Sequence, residues 1–302
     1  MLRADNLTKR FNDFTAIDNL SAAIPKGSIY GLIGANGAGK STFLRLMCGV
    51  YKPDSGGITL DSLEVYENPE AKKRMAFVPD ELYFLPGASM NRMADLYESM
   101  YDNFDRLRYR ELSSIFKINP AANLNTFSKG MKRQASAILA LSTQPEYIFF
   151  DETFDGLDPV VRNLTKNIIT EHVADRGMTA IVTSHSLREL EDTADQLALL
   201  YQGGIVFESD VQNLKTSLFK IQIAFLEEYD REKFEGLNIL SYKQKGSVAN
   251  FIVRGERDEV RSFLSAKSPA VLDVLPLSLE EVFIYEMQAI GYAFENILGE
   301  DE

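Results

Sequence analysis

A chain of 302 residues and 34.0 kDa has room for about two domains and for a core that needs no disulfide or metal to hold it. Its 45% hydrophobic and 25% charged residues exclude a disordered or fibrous protein, and a net charge of −12 disfavours nucleic acid as the main partner. The single cysteine, Cys48, rules out an internal disulfide and fits a reducing compartment.

The β-rich runs Ser28–Ile33, Met75–Val78, Tyr147–Phe150, Thr179–Thr183 and Gln196–Tyr201 alternate with helical patterns up to about residue 215. That order predicts an α/β domain with a largely parallel sheet. Between Met75–Val78 and Tyr147–Phe150, the stretch Met90–Lys117 carries Met90, Met93, Leu96, Tyr97, Met100 and Tyr101 at helical spacing. It reads as a helical subdomain, spanning about residues 80–143, inserted between two strands. Residues 218–302 read as a separate α+β domain of β-α-β-β-α-β order, a ferredoxin-like arrangement, with a further helix at its end. Its strands are expected at Phe219–Leu226, Ile239–Lys245, Val248–Arg254 and Val271–Leu275, and its helices at Arg231–Gly236, Glu256–Ala266 and Ser278–Asn296. Residues 278–302 hold seven acidic and no basic side chains, the mark of a solvated tail or of a docking tail for a basic surface. No apolar run reaches the ~18 residues of a membrane span, and Met1–Leu7 lacks the apolar stretch of a secretory signal. The expectation is a soluble, cytosolic protein that meets a membrane only through a partner.

Gly34-Ala-Asn-Gly-Ala-Gly-Lys-Ser41 matches G-x-x-x-x-G-K-[ST], after an apolar strand and before the helical run Ser41–Cys48. Glycines let such a loop curl its N–H groups inward around a phosphate, and the helix that follows adds the positive end of its dipole. The candidate nucleotide-binding residues here are Gly34, Ala35, Asn36, Gly37, Ala38, Gly39, Lys40, Ser41 and Thr42. Lys40 is expected to reach the β- and γ-phosphates of ATP, and the Ser41 hydroxyl to ligate Mg²⁺. The run Tyr147–Phe150 ends in Asp151 and Glu152. Asp151 is expected to hold the Mg²⁺ through water, and Glu152 to face the water that attacks the γ-phosphate.

Three more motifs complete an ordered set: Phe127-Ser-Lys-Gly-Met131, then Gly156-Leu-Asp158-Pro159, then Thr183-Ser-His185. Taken in order, the five motifs resemble the ATP-binding subunit of ABC transporters over residues 2–215. The resemblance implies a phosphate-loop NTPase core that hydrolyses ATP in a head-to-tail dimer. It implies that Phe11 stacks on adenine and that Ser128 and Gly130 bind the γ-phosphate held by the opposite subunit. It implies too that Asp158 lies in the loop linking the two sites, and that His185 contacts the γ-phosphate. His172, in a helical run without such context, reads as structural. The lid residue is Asp80, after Phe77-Val-Pro79, where the family carries Gln. An ionised Asp ligates Mg²⁺ more strongly than an amide and cannot donate a hydrogen bond. The signature reads Phe-Ser-Lys-Gly-Met where the family norm is Leu-Ser-Gly-Gly-Gln, and Thr153 stands where many members have Pro.

With its Ser-Lys-Gly-Met signature and acidic lid, the chain is similar to bacterial exporter ATPases for drugs and antimicrobial peptides. The partners so implied are an integral membrane permease and a second ATPase subunit, identical or paralogous, with no nucleic acid. The chain is then expected at the inner face of the cell membrane, held there by the permease. The alternative is a soluble ABC-type ATP switch or regulatory protein without a permease. Met90, Met93 and Met100 are read either as core or as an adaptable groove for a short helix of the membrane partner.

Overall fold

The computed structural model describes residues 1–289 and 291. It divides into two compact units, Met1–Glu208 and Ser209–Glu302. The first begins with β1 (Leu2–Phe11), β2 (Phe14–Ile24), β3 (Ile29–Ile33), α1 (Lys40–Met47), β4 (Ser55–Leu60), β5 (Leu63–Glu64), α2 (Pro69–Lys72) and β6 (Met75–Val78). Then come α3 (Met90–Met100), α4 (Arg106–Ile115), α5 (Lys129–Ser142) and β7 (Tyr147–Phe150). The unit closes with α6 (Pro159–Arg176), β8 (Thr179–Ser184), α7 (Leu187–Leu190), β9 (Gln196–Tyr201) and β10 (Gly204–Asp210), the last of which runs past the dividing point.

Six of these strands form a sheet in the order β10-β9-β3-β8-β7-β6, and the five from β9 to β6 are parallel. Strands β3, β7 and β8 are buried along their whole length, which is why each reads as an apolar run rather than an alternation. Strand β10 returns beside β9 through Gln202–Gly203, both with positive φ (48° and 81°), the conformation of a type I′ turn.

A second, antiparallel sheet, β2-β1-β4-β5, has no counterpart in the expectation of a largely parallel domain. The strict alternation that marks a half-buried strand is broken in β1, whose pairing with β2 shifts register between Ala4 and Leu7 and again up to Arg10. One core cluster joins Leu2, Leu7, Ile17 and Ile58 of this sheet, Phe43 and Leu44 of α1, and Tyr30, Phe149 and Ile181 of the parallel sheet. Helix α1 is thereby held on apolar faces of both sheets.

The helical insertion contains α3, α4 and α5, all between β6 and β7. Met90 and Met93 are buried in it, whereas Met100 is exposed. No helix among the described residues is long and apolar enough to cross a membrane.

The second unit comprises α8 (Val211–Ser217), β11 (Leu218–Ala224), β12 (Asn238–Lys245), β13 (Val248–Arg254), α9 (Arg257–Ser265), β14 (Val271–Pro276) and α10 (Leu279–Ala289). Its four strands are antiparallel in the order β12-β13-β11-β14, around a core that includes Ile221, Phe234, Phe251 and Leu264. The helix expected at Arg231–Gly236 is a single 3₁₀ turn, Arg231–Phe234, which gives way at Gly236 with φ 97°. The division precedes the expected boundary near 215 because α8 packs with α10 and β11. The last residues of the expected helix Ser278–Asn296, and four of the seven acidic residues of the tail, lie outside the described residues.

Candidate functional site

Parallel strands put their C-terminal ends on one edge of a sheet, where the connecting loops converge. Four of the predicted motifs follow such ends here. Gly34–Gly39 follows β3, Asp80 follows β6, Asp151 and Glu152 follow β7, and His185 follows β8.

The loop after β3 depends on its glycines for space. Gly39 has φ 111°, and a Cβ there would lie 2.6 Å from the Ala16 carbonyl oxygen. A Cβ on Gly34 would lie 2.5 Å from the Leu200 carbonyl oxygen. Lys40, the first residue of α1, is 4% exposed. Its Nζ donates to the carbonyls of Gly34 (2.7 Å) and Ala35 (3.2 Å) and pairs with Glu152 Oε1 at 3.0 Å. The lysine charge is thus fixed between the loop and one of the two strand-end carboxylates. Asn36 and Gly37 are exposed, Ala35 and Thr42 half-buried and Ala38 buried.

Asp151 is fully buried. Its Oδ1 accepts from Ser41 Oγ (2.9 Å) and from Thr183 Oγ1 (3.1 Å). Its Oδ2 has no hydrogen-bond partner among the described residues. Burial pushes this carboxyl above the usual range, and the hydrogen bonds from Ser41 and Thr183 pull it back. A buried carboxylate oxygen left unpaired beside a hydroxyl is a donor set that fits a hard divalent cation. Glu152 holds a left-handed backbone, φ 45°, a conformation that costs a non-glycine residue about 1–3 kcal/mol and is retained at functional sites. Its N–H donates to Thr183 Oγ1 at 3.0 Å. Thr183 therefore ties the two acids together, a role that sequence reasoning did not assign to it. Its place in the run Thr183-Ser-His185, at the end of a buried strand, is the signal that marks it.

His185 is about half exposed, with Nδ1 3.3 Å from Asp155 Oδ2. Ligand atoms of Glu152, Asp155 and His185 all lie within 4.8 Å of one another. Asp155 is a second residue that the motif reading passed over. Burial raises its carboxyl, and His185 opposes that shift.

The other predicted residues lie around this centre. Ser128 caps α5, its Oγ accepting from the Met131 N–H at 3.2 Å. Gly130 stands one residue into that helix, where a Cβ would lie 3.6 Å from the Gly156 carbonyl oxygen. Asp158 caps α6, one carboxylate oxygen accepting from the N–H groups of Val160 and Val161 at 3.1 Å each. Phe11 is 40% exposed and meets Tyr51 edge-on, ring centroids 5.5 Å apart. Asp80 is paired with Arg133 of α5, its Oδ1 accepting from the guanidinium. The sequence reading assigned Arg133 no role.

Residues 17–155 match the family model described as ABC transporter. The chain is 31% identical over 284 residues to the ABC transporter ATP-binding protein YtrB of Bacillus subtilis, covering 94% of this chain and 97% of that protein. It is 32% identical over 235 residues to the lantibiotic transport ATP-binding protein SrtF of Streptococcus pyogenes, covering 74% of this chain and 98% of that one. A dimeric ATP-binding cassette solved in a post-hydrolysis state with ADP and Pi shares the fold, with a TM-score of 0.64, 20% identity, and coverage of 70% of this chain and 99% of that one.

Proposed function

This chain belongs to the ATP-binding proteins of ABC transporters, a family of ATPases, and from that membership we propose that it binds and hydrolyses ATP to drive a separate membrane permease in export. The observation that carries the reading is the single cluster formed by Lys40, Ser41, Asp151, Thr183 and Glu152 behind a glycine-dependent loop. Lys40 presents a buried cation where the loop N–H groups would surround the β- and γ-phosphates. Ser41 and Asp151 would hold Mg²⁺, which when bound neutralises the phosphate oxygens. Glu152 orients the attacking water and takes its proton at a carboxylate oxygen. His185 donates to the γ-phosphate, and Phe11 offers an exposed ring face to adenine.

Two chains in head-to-tail order would bring Ser128 and Gly130 of a second subunit to the γ-phosphate, so that ATP binding joins the dimer and hydrolysis releases it. The dimeric cassette supports a dimer, and SrtF, named for lantibiotic transport, supports a cargo of the antimicrobial-peptide class. The chain would then sit at the inner face of the membrane, held there by its permease.

The test is Glu152→Gln. The variant should retain ATP affinity, lose at least about a hundredfold in turnover, and accumulate as an ATP-bound dimer in size-exclusion chromatography. Turnover near that of the wild type would overturn the assignment of Glu152.

A further inference from the structure

We propose that Arg133 is a positioning residue for the hydrolysis reaction, locking the Asp80 lid, the Ser128–Gly130 helix start and the Glu152–Asp158 loop into one arrangement. The proposal rests on the ATPase reading above and concerns a residue that no motif includes.

Arg133 is 2% exposed, an extreme value for a guanidinium. A buried cation needs a counter-charge, and the carboxylate that the structure gives it is Asp80. Asp80 lies beyond β6, two residues past its last, Val78, on the loop that enters the helical insertion. Arg133 lies on α5, the helix that returns from that insertion and that Ser128 caps. The third segment is the loop after β7. A Cβ built on Gly156 would lie 3.6 Å from the Arg133 guanidinium, and one built on Gly130 would lie 3.6 Å from the Gly156 carbonyl oxygen. The guanidinium therefore lies between three segments: the lid with Asp80, the α5 start with Ser128 and Gly130, and the loop that follows Glu152.

This arrangement gives the acidic lid a purpose other than binding a cation. One oxygen of Asp80 is committed to a planar, permanently charged group. The Nε of Arg133 is buried without a hydrogen-bond partner among the described residues, and its charge is also felt by the Asp155 carboxylate, so Asp80 is its ion-pair partner but not the sole anion near it. Removing Asp80 leaves the buried Arg133 charge without its paired carboxylate, and removing Arg133 frees a carboxylate that is 39% exposed to move the lid, whereas neutralising both sides leaves neither. The lid and the α5 start would then shift as one body with the loop that holds Glu152.

The experiment is a double-mutant cycle in ATPase activity of the full chain, with Glu152→Gln alongside. Asp80→Gln and Arg133→Gln should each lower kcat about tenfold while KM for ATP stays within about twofold. The double variant Asp80→Gln/Arg133→Gln should recover to within about threefold of the wild type. The proposal is overturned if the losses of the two single variants multiply in the double variant, or if neither single variant loses kcat. It is overturned too if Asp80→Gln raises the Mg²⁺ concentration needed for half-maximal rate and Arg133→Gln does not, because Asp80 is then a cation ligand. Should Asp80→Gln fail to fold, Arg133→Lys keeps the charge and removes the planar fork, and an undiminished kcat in that variant also overturns it. A wild type whose turnover is not abolished by Glu152→Gln is a failure of the ATPase assignment and is recognised before the cycle is read.

Discussion

Lys40 shows how one side chain takes its meaning from its surroundings. Its ammonium lies buried between two loop carbonyls and Glu152, so it cannot turn away to solvent when its partners change. Lys40→Ala should therefore weaken ATP binding by two orders of magnitude or roughly more, read by calorimetry, because the phosphates lose a buried counter-charge. His172 illustrates the opposite case, a charge that the fold refuses. Its Nε2 faces the Arg108 guanidinium at 2.8 and 3.2 Å, and its Nδ1 faces Arg176 at 3.3 Å. Burial, then the two arginines, hold its pKa down at about 4. The native ring stays neutral below the ordinary value of about 6.5, where the unfolded chain gains a proton. The stability this provides is present above pH 6.5 and is lost as pH falls toward about 4. His172→Gln should flatten that loss when urea midpoints are compared at pH 7 and pH 5. The structural reading of His172 was open to the sequence because it stands apart from every motif; its two arginine neighbours, 64 and 4 residues away in sequence, were not.

Elements position these residues by their ends. Asp158 is an exposed carboxylate put to local use: it accepts two N–H groups at the start of α6, with Pro159 following as the first helical residue. Asp158→Ala should cost about 1 kcal/mol in thermal unfolding, before any effect on the dimer is considered. The loop between β3 and α1 is less forgiving. Gly39→Ala would impose a side chain at φ 111° and within 2.6 Å of the Ala16 carbonyl, so the turn must open. ATP affinity should fall in that variant even though every charged group of the site is retained, which separates loop shape from loop charge. The loop's glycine pattern is written in the sequence because the demand is local. The neighbours that enforce it, Ala16 and Leu200, are brought there by β2 and β9 and are not.

At the scale of the molecule, the phosphate loop, the two acids, Asp80 with Arg133, and His185 all belong to the first unit. A chain ending at Asp210, the last residue of β10, should therefore bind ATP with affinity within about threefold of the full chain, measured by the same calorimetry. A larger loss would assign the second unit a part in nucleotide binding. That unit has its own antiparallel sheet and aromatic core.

What the sequence by itself determined was whatever short-range chemistry dictates. The buried parallel strands announce themselves as apolar runs, the loop after β3 by its glycine spacing, and Asp151 and Glu152 by their place at a strand end. The helical insertion follows from a change of period. Tertiary structure alone decided the second sheet, whose bulged first strand hides its alternation, and the division of the chain ahead of α8. It alone set Thr183 between the two acids, put Asp155 against His185, and gave Asp80 its arginine. Each of these joins residues far apart in the chain, and a pairing across space leaves no period in the sequence. It emerges only when burial forces every charge and every hydroxyl to find a partner.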